Sequence, residues 1–169
     1  ACSMKTKVLC VGYHGWHDWY IGTTSSAFGV PESITRHTIR LNTYDKDEFI
    51  DTINRHATEL ACCIVEPPMT DPECLRFLKI ARDICSKKNI ILIFDETVTG
   101  FRLALGGAQE YFNVIPDMAT FGKAIGNGMP ISILVGKRKL MKHFDEVFYS
   151  ATFAGECLSI ASANAVITK

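Results

Sequence analysis

Short β-branched runs alternate along this chain with longer segments of helical period, which narrows the fold to βα units built around a mainly parallel sheet. Residues 7–11, 38–41, 61–66, 90–95, 118–121 and 131–135 read as strands. The runs at 61 and 90 are almost wholly apolar, as expected of central strands covered by helices on both faces, so they belong in the middle of the sheet. Helices fit between the strands at 45–58 and 72–88, with Phe49, Ile50 and Ile53 on the first apolar stripe and Leu75, Leu78 and Ile84 on the second. Asp71 ahead of Pro72 forms an N-cap with proline in the first turn. A helix at 138–145 and a last one from Glu156 or Cys157 onward complete an α/β, three-layer α/β/α expectation.

Size and charge bound the partners. With 169 residues, 47% of them hydrophobic, the chain supports one domain. Eighteen Lys and Arg balance eighteen Asp and Glu, so no basic field attracts nucleic acid or an anionic membrane. No apolar run approaches the roughly 20 residues of a membrane-spanning helix. Seven cysteines, with no CxxC and no zinc-knuckle spacing, read as reduced thiols in a cytoplasmic protein. Cys10, Cys62, Cys63 and Cys85 lie in apolar runs, where a free cysteine acts as a small hydrophobe. The chain opens on Ala1-Cys2-Ser3-Met4 and reaches Thr168-Lys169 with a helical pattern still running, which reads as a piece of something longer.

In open α/β sheets ligands sit beyond the carboxyl ends of the strands, which draws attention to polar residues that terminate apolar runs. Three such ends carry chemistry: Glu66-Pro67-Pro68, Asp95-Glu96-Thr97, and Gly122-Lys123 leading to Gly126 and Gly128. Asp95 closes an apolar run, and a poorly solvated carboxylate needs a cation or several donors to remain charged. Taken alone, Asp95 is as well explained by a salt bridge, and Lys123 by a solvated loop. Together they set a carboxylate and an amine at one crevice, and a half-buried amine is a usable nucleophile toward a carbonyl. His14, His17 and Asp18 lack a third ligand cluster of metal spacing, so no metal site is expected.

The ordered set Phe94-Asp95-Glu96-Thr97-Val98-Thr99-Gly100-Phe101-Arg102, then Pro116-Asp117, then Phe121-Gly122-Lys123-Ala124-Ile125-Gly126-Asn127-Gly128-Met129-Pro130 resembles the class III aminotransferases. The likeness begins at Gly12-Tyr13-His14-Gly15 and is greatest to the branch that contains glutamate-1-semialdehyde aminomutase. It implies a fold type I enzyme that uses pyridoxal 5'-phosphate. Residues 1–169 are then the central part of the cofactor-binding large domain, with the upstream phosphate-binding segment and a small C-terminal domain lying outside the chain.

By that resemblance Lys123 forms the Schiff base with the cofactor and later shuttles a proton, while Asp95 pairs with the pyridine nitrogen. Tyr13 stacks on one ring face, and Thr97 stands where the family usually has a valine against the other. His14 and Glu66 fall beside the cofactor, Thr152 corresponds to a threonine that reaches the cofactor phosphate of the neighbouring subunit in a homodimer, and Arg102 matches a family arginine. For Thr152, a helix start just downstream also favours an anion. The bulky Trp16, and Gly155-Glu156-Cys157 in place of Gly-Asn-Pro, imply a substrate other than the semialdehyde.

The expected reaction moves an amino group between a small-molecule amino donor and a carbonyl acceptor. Two rivals stand beside it: intramolecular transfer by a 2,1-aminomutase, and a catalytically inactive domain that kept the fold. A nucleotide-binding doubly wound domain is disfavoured because no GxGxxG turn follows the first strand.

Overall fold

The computed structural model describes residues 2–69 and 72–168. Six strands form one sheet: β1 (Lys7–Val11), β2 (Thr38–Leu41), β3 (Leu60–Val65), β4 (Ile91–Glu96), β5 (Met118–Phe121) and β6 (Ile133–Gly136), in the order β2-β1-β3-β4-β5-β6. The helices are α1 (Asp18–Ile21), α2 (Glu32–Thr35), α3 (Lys46–His56), α4 (Pro72–Lys87), α5 (Gly107–Tyr111), α6 (Arg138–Met141) and α7 (Cys157–Thr168). The chain is therefore α/β with a mainly parallel sheet, and β3 and β4 are central as the apolar runs require.

All pairings are parallel except β5 with β6. A parallel return needs a crossover of a dozen or more residues. Between Phe121 and Ile133 the chain makes only a 3-10 turn (Lys123–Gly126) and a short loop, so β6 comes back antiparallel at the edge.

Alternate strand residues show which face carries the core. Leu9, Val11, Cys63, Val65, Leu92 and Phe94 are fully buried and join Phe49 and Ile53 of α3 and Phe77, Leu78 and Ala81 of α4 in one cluster. On the opposite face Cys62, Ile64, Ile91 and Ile93 are only half-buried, so the helical cover expected on both faces is dense on one and thin on the other within this chain. Toward β2 that face is closed by Tyr20 of α1, over whose ring the Arg40 guanidinium lies at 5.9 Å.

Helix α3 starts where Asp45 accepts from the amides of Asp47 and Glu48, each within 2.9 Å. The Asp71 cap expected for α4 lies outside the described residues. Burial pushes the Cys10 thiol up to about 12 and that of Cys62 to about 11, which leaves both inert at neutral pH.

Candidate active site

The carboxyl ends of β1, β3, β4 and β5 open toward one side of the sheet, and the chemically capable residues gather there. Asp95 occupies the penultimate position of β4, in register with Thr120 of β5. Its side chain is 14% exposed, enough to present an edge to a ligand but too little for water to solvate its charge. The protein supplies donors instead. Oδ1 accepts from the Thr97 hydroxyl at 2.6 Å, the Thr97 amide at 3.2 Å and the Thr120 hydroxyl at 3.1 Å, and Oδ2 lies 2.8 Å from His14 Nδ1. Burial alone pushes the carboxyl upward; the hydrogen bonds from His14 and Thr97, with the charge of His14, outweigh it and hold Asp95 below the usual carboxylate range.

His14 reaches this carboxylate from the end of β1, across the end of β3. Its ring is 1% exposed, stacked on Trp19 and edge-on to Tyr20, and its Nε2 lies 3.1 Å from the Val11 carbonyl. Each ring nitrogen thus faces a protein oxygen, and His14 bears on a ligand through Asp95 rather than by pointing at open space. Tyr13, one residue earlier, is 60% exposed at the same end of the sheet.

The turn that sets these two residues depends on Gly12. It sits at φ +98°, and a Cβ there would come within 2.6 Å of Glu66 Cβ. That close approach lets Glu66 Oε2 accept from the Tyr13 amide at 2.8 Å, while the Tyr44 hydroxyl donates to the Glu66 carbonyl at 2.8 Å. Glu66 is the support under Tyr13.

Lys123 follows β5 directly, one strand over from Asp95. It is exposed, it holds a left-handed φ of +48° that a non-glycine residue adopts at a cost of about 1 kcal/mol, and its Nζ has no hydrogen-bond or ion-pair partner among the described residues. Gly122 ahead of it packs closely on Thr97: a Cβ on the glycine would lie 3.3 Å from the Thr97 methyl.

Other residues singled out by the sequence lie apart. Arg102 is exposed, with Nε donating to the Val98 carbonyl at 3.2 Å. Thr152 is exposed in a turn whose neighbours Ala151, Phe153 and Gly155 line a cleft with Pro130, Ile131 and Ser132. The start of α7 is not open to an anion as expected, because Glu156 accepts from the amides of Leu158 and Ser159 and from the Ser159 hydroxyl. Glu96, adjacent to Asp95, points into the core, fully buried, and accepts from the amides of Ala108 and Gln109 and from the Thr99 hydroxyl. Thr120 escaped sequence reasoning; its only signal was a hydroxyl in register with Asp95, and the register is a tertiary fact.

A half-buried, ionised carboxylate at the end of β4, an unpartnered lysine on the neighbouring strand end and an exposed aromatic ring after β1 at the same end of the sheet form a set that fits pyridoxal phosphate. The chain belongs to the class-III aminotransferases: the family's profile, "Aminotransferase class-III", matches residues 12–169. Among its relatives, glutamate-1-semialdehyde 2,1-aminomutase of Methanocaldococcus jannaschii is 41% identical over 92% of this chain and 40% of its own length. The enzyme of the same name from Methanococcoides burtonii is 35% identical over 98% of this chain and 43% of its own. A solved "Transaminase with PLP bound" superposes with a TM-score of 0.84 at 25% identity, over 97% of this chain and 43% of that one. An omega-transaminase from Sphaerobacter thermophilus gives 0.80 at 25% identity, over 96% and 43%. The chain thus spans about two fifths of the length of these relatives.

Proposed function

We propose that residues 1–169 are the central part of the cofactor-binding large domain of a pyridoxal-phosphate-dependent aminotransferase that moves an amino group between an amino donor and a carbonyl acceptor. The observation that carries this reading is the Asp95 carboxylate, kept ionised by four donors at the end of β4, one strand from the free amine of Lys123. When bound, the cofactor supplies a protonated heteroaromatic ring that takes up the electron pair left as a proton departs from the amino-bearing carbon. Asp95 would pair with the ring nitrogen and keep it protonated, because an anion held below the usual carboxylate range would leave a shared proton on the nitrogen. Lys123 would hold the cofactor covalently through Nζ, the carbonyl oxygen leaving as water, and the same amine, once free, would be the base that takes the proton from the substrate carbon. Tyr13, whose backbone Glu66 fixes, would support one face of the ring, and Thr97, packed against Gly122, would stand against the other.

Thr152 reaches the cofactor phosphate of a second subunit in this reading. A homodimer is supported by the exposed Phe148, Tyr149, Phe153 and Leu158 that flank Thr152, since apolar area of this kind is normally covered. A cytoplasmic location is supported by the free cysteines.

The test is covalent. Full-length protein incubated with pyridoxal phosphate gains a visible absorption band, and borohydride fixes the cofactor onto Lys123, located by peptide mass. Lys123→Ala loses the fixation and about 10⁴-fold in turnover. Wild-type protein that binds the cofactor without fixing it at Lys123 overturns the reading and leaves the catalytically inactive domain in its place. The 41% identity to an aminomutase favours a second reading, intramolecular transfer. A mutase turns over without an added keto acid, and product analysis with and without one decides between them.

A further inference from the structure

We infer that Thr97 is a positioning residue that joins the two chemical groups of the site, orienting the Asp95 carboxylate with its hydroxyl and seating the Lys123 segment with its methyl group; this rests on the reading just given. Its hydroxyl makes the shortest hydrogen bond to Asp95, 2.6 Å to Oδ1, and its own amide reaches the same oxygen at 3.2 Å. With the Thr120 hydroxyl at 3.1 Å, Oδ1 is saturated, whereas Oδ2 meets His14 alone. Each oxygen of a carboxylate offers about two lone-pair acceptor sites, so Oδ1 with three donors is full and Oδ2 with one is not. The remaining acceptor position is therefore on Oδ2, and the residue that crowds donors onto Oδ1 decides which oxygen faces the ligand.

The second half of the role follows from branching at Cβ. A threonine whose hydroxyl is committed to Asp95 has no freedom left at χ1, so its methyl direction is fixed too. That methyl lies 3.3 Å from where a Cβ on Gly122 would stand. Gly122 precedes the left-handed Lys123, so a shift of Thr97 is felt by both the acid and the amine. Valine in this place keeps the shape and loses the donor; serine keeps the donor and loses the methyl group. The two functions are separable by substitution.

Among the described residues, the titratable group in contact with Asp95 is His14 from the end of β1, with Tyr20 of α1 edge-on behind it, and the neutral hydroxyls of Thr97 and Thr120 complete the polar contacts. In cofactor-free full-length protein, the ¹³C carboxyl titration of Asp95 in Thr97→Val moves upward from its wild-type midpoint, while Thr97→Ser stays at wild type. Amide hydrogen exchange at Gly122 and Lys123 quickens in Thr97→Ser and not in Thr97→Val. With cofactor and substrate, Thr97→Val loses about tenfold in kcat with KM changed less than about twofold, the worth of one hydrogen bond to a charged group. Unchanged Asp95 titration in the valine variant, or unchanged exchange in the serine variant, overturns the inference. Both readouts are made without cofactor, so absent borohydride fixation at wild-type Lys123 defeats the functional reading separately.

Discussion

A carboxylate left at the end of an apolar strand either takes up a proton or is supplied with donors, and at position 95 the chain supplies donors. Three of the four come from side chains that are distant in sequence or easily read as ordinary: His14, Thr97 and Thr120. Their common effect is to keep a negative charge in a site where water does not. The charge, rather than the shape of the group, is what the proposed chemistry uses. Asp95→Asn keeps the volume and loses the anion, so kcat falls about 10³-fold while substrate KM changes far less, measured by steady-state kinetics on the full-length protein. An asparagine variant that raises KM and spares kcat shows instead that Asp95 serves binding.

Among the elements, legibility followed the source of the stabilising contacts. Strands β3 and β4 and helices α3 and α4 draw on their own apolar patterns, and their expected bounds agree with the observed ones to within two residues. Helix α5 has no such pattern. Its start is set by Glu96, eleven residues earlier in sequence, whose carboxylate takes the amides of Ala108 and Gln109. Gly107 makes that possible: at φ +77° it lacks the Cβ that would strike Glu96 Oε2. The antiparallel sense of β6 was hidden for a related reason, because strand direction depends on loop length and not on strand composition. At the site, Asp95 and Lys123 were legible as polar ends of apolar runs. Of the partners of Asp95, His14 and Thr97 were singled out but their bonds to it were not, and Thr120 qualifies only through its register; equally hidden was Glu156, which takes the helix start that Thr152 was expected to offer an anion. Removing the α5 anchor gives the matching prediction. Glu96→Ala leaves a buried amide, a part-buried amide and a buried hydroxyl without an acceptor, at about 3 kcal/mol, and lowers the melting temperature by roughly 6–12 °C. Thermal unfolding by circular dichroism measures it, and a change under about 2 °C means that solvent replaces the carboxylate.

Across the whole molecule, the two ends of the sheet divide the labour. The carboxyl end carries the proposed site, and the amino end is fastened by Asp117 beside the start of β5. Asp117 accepts from Arg82 of α4 at 2.9 Å, from Lys137 after β6 at 2.6 Å and from the Leu92 amide of β4 at 2.9 Å, so one carboxylate ties a covering helix to the central and edge strands. Burial pushes Asp117 upward, but Lys137, the Leu92 amide and Arg82 together hold it below the usual carboxylate range, as the donors of Asp95 do at the other end. Both folded-state values lie below the unfolded one, about 3.9. Each group therefore contributes stability that is fully present well above that value and is lost as pH falls through the depressed folded-state value. Wild-type protein melts at a steady temperature near neutrality and progressively lower as the pH drops below about 5. Asp117→Asn costs about 2 kcal/mol at pH 7, because two cations and an amide lose their anion, and its melting temperature falls less steeply on acidification because one of the titrating carboxylates is gone. Melts from pH 7 to pH 3 read both effects. Parallel curves for the two proteins show that the fastening at the amino end does not depend on the charge of Asp117.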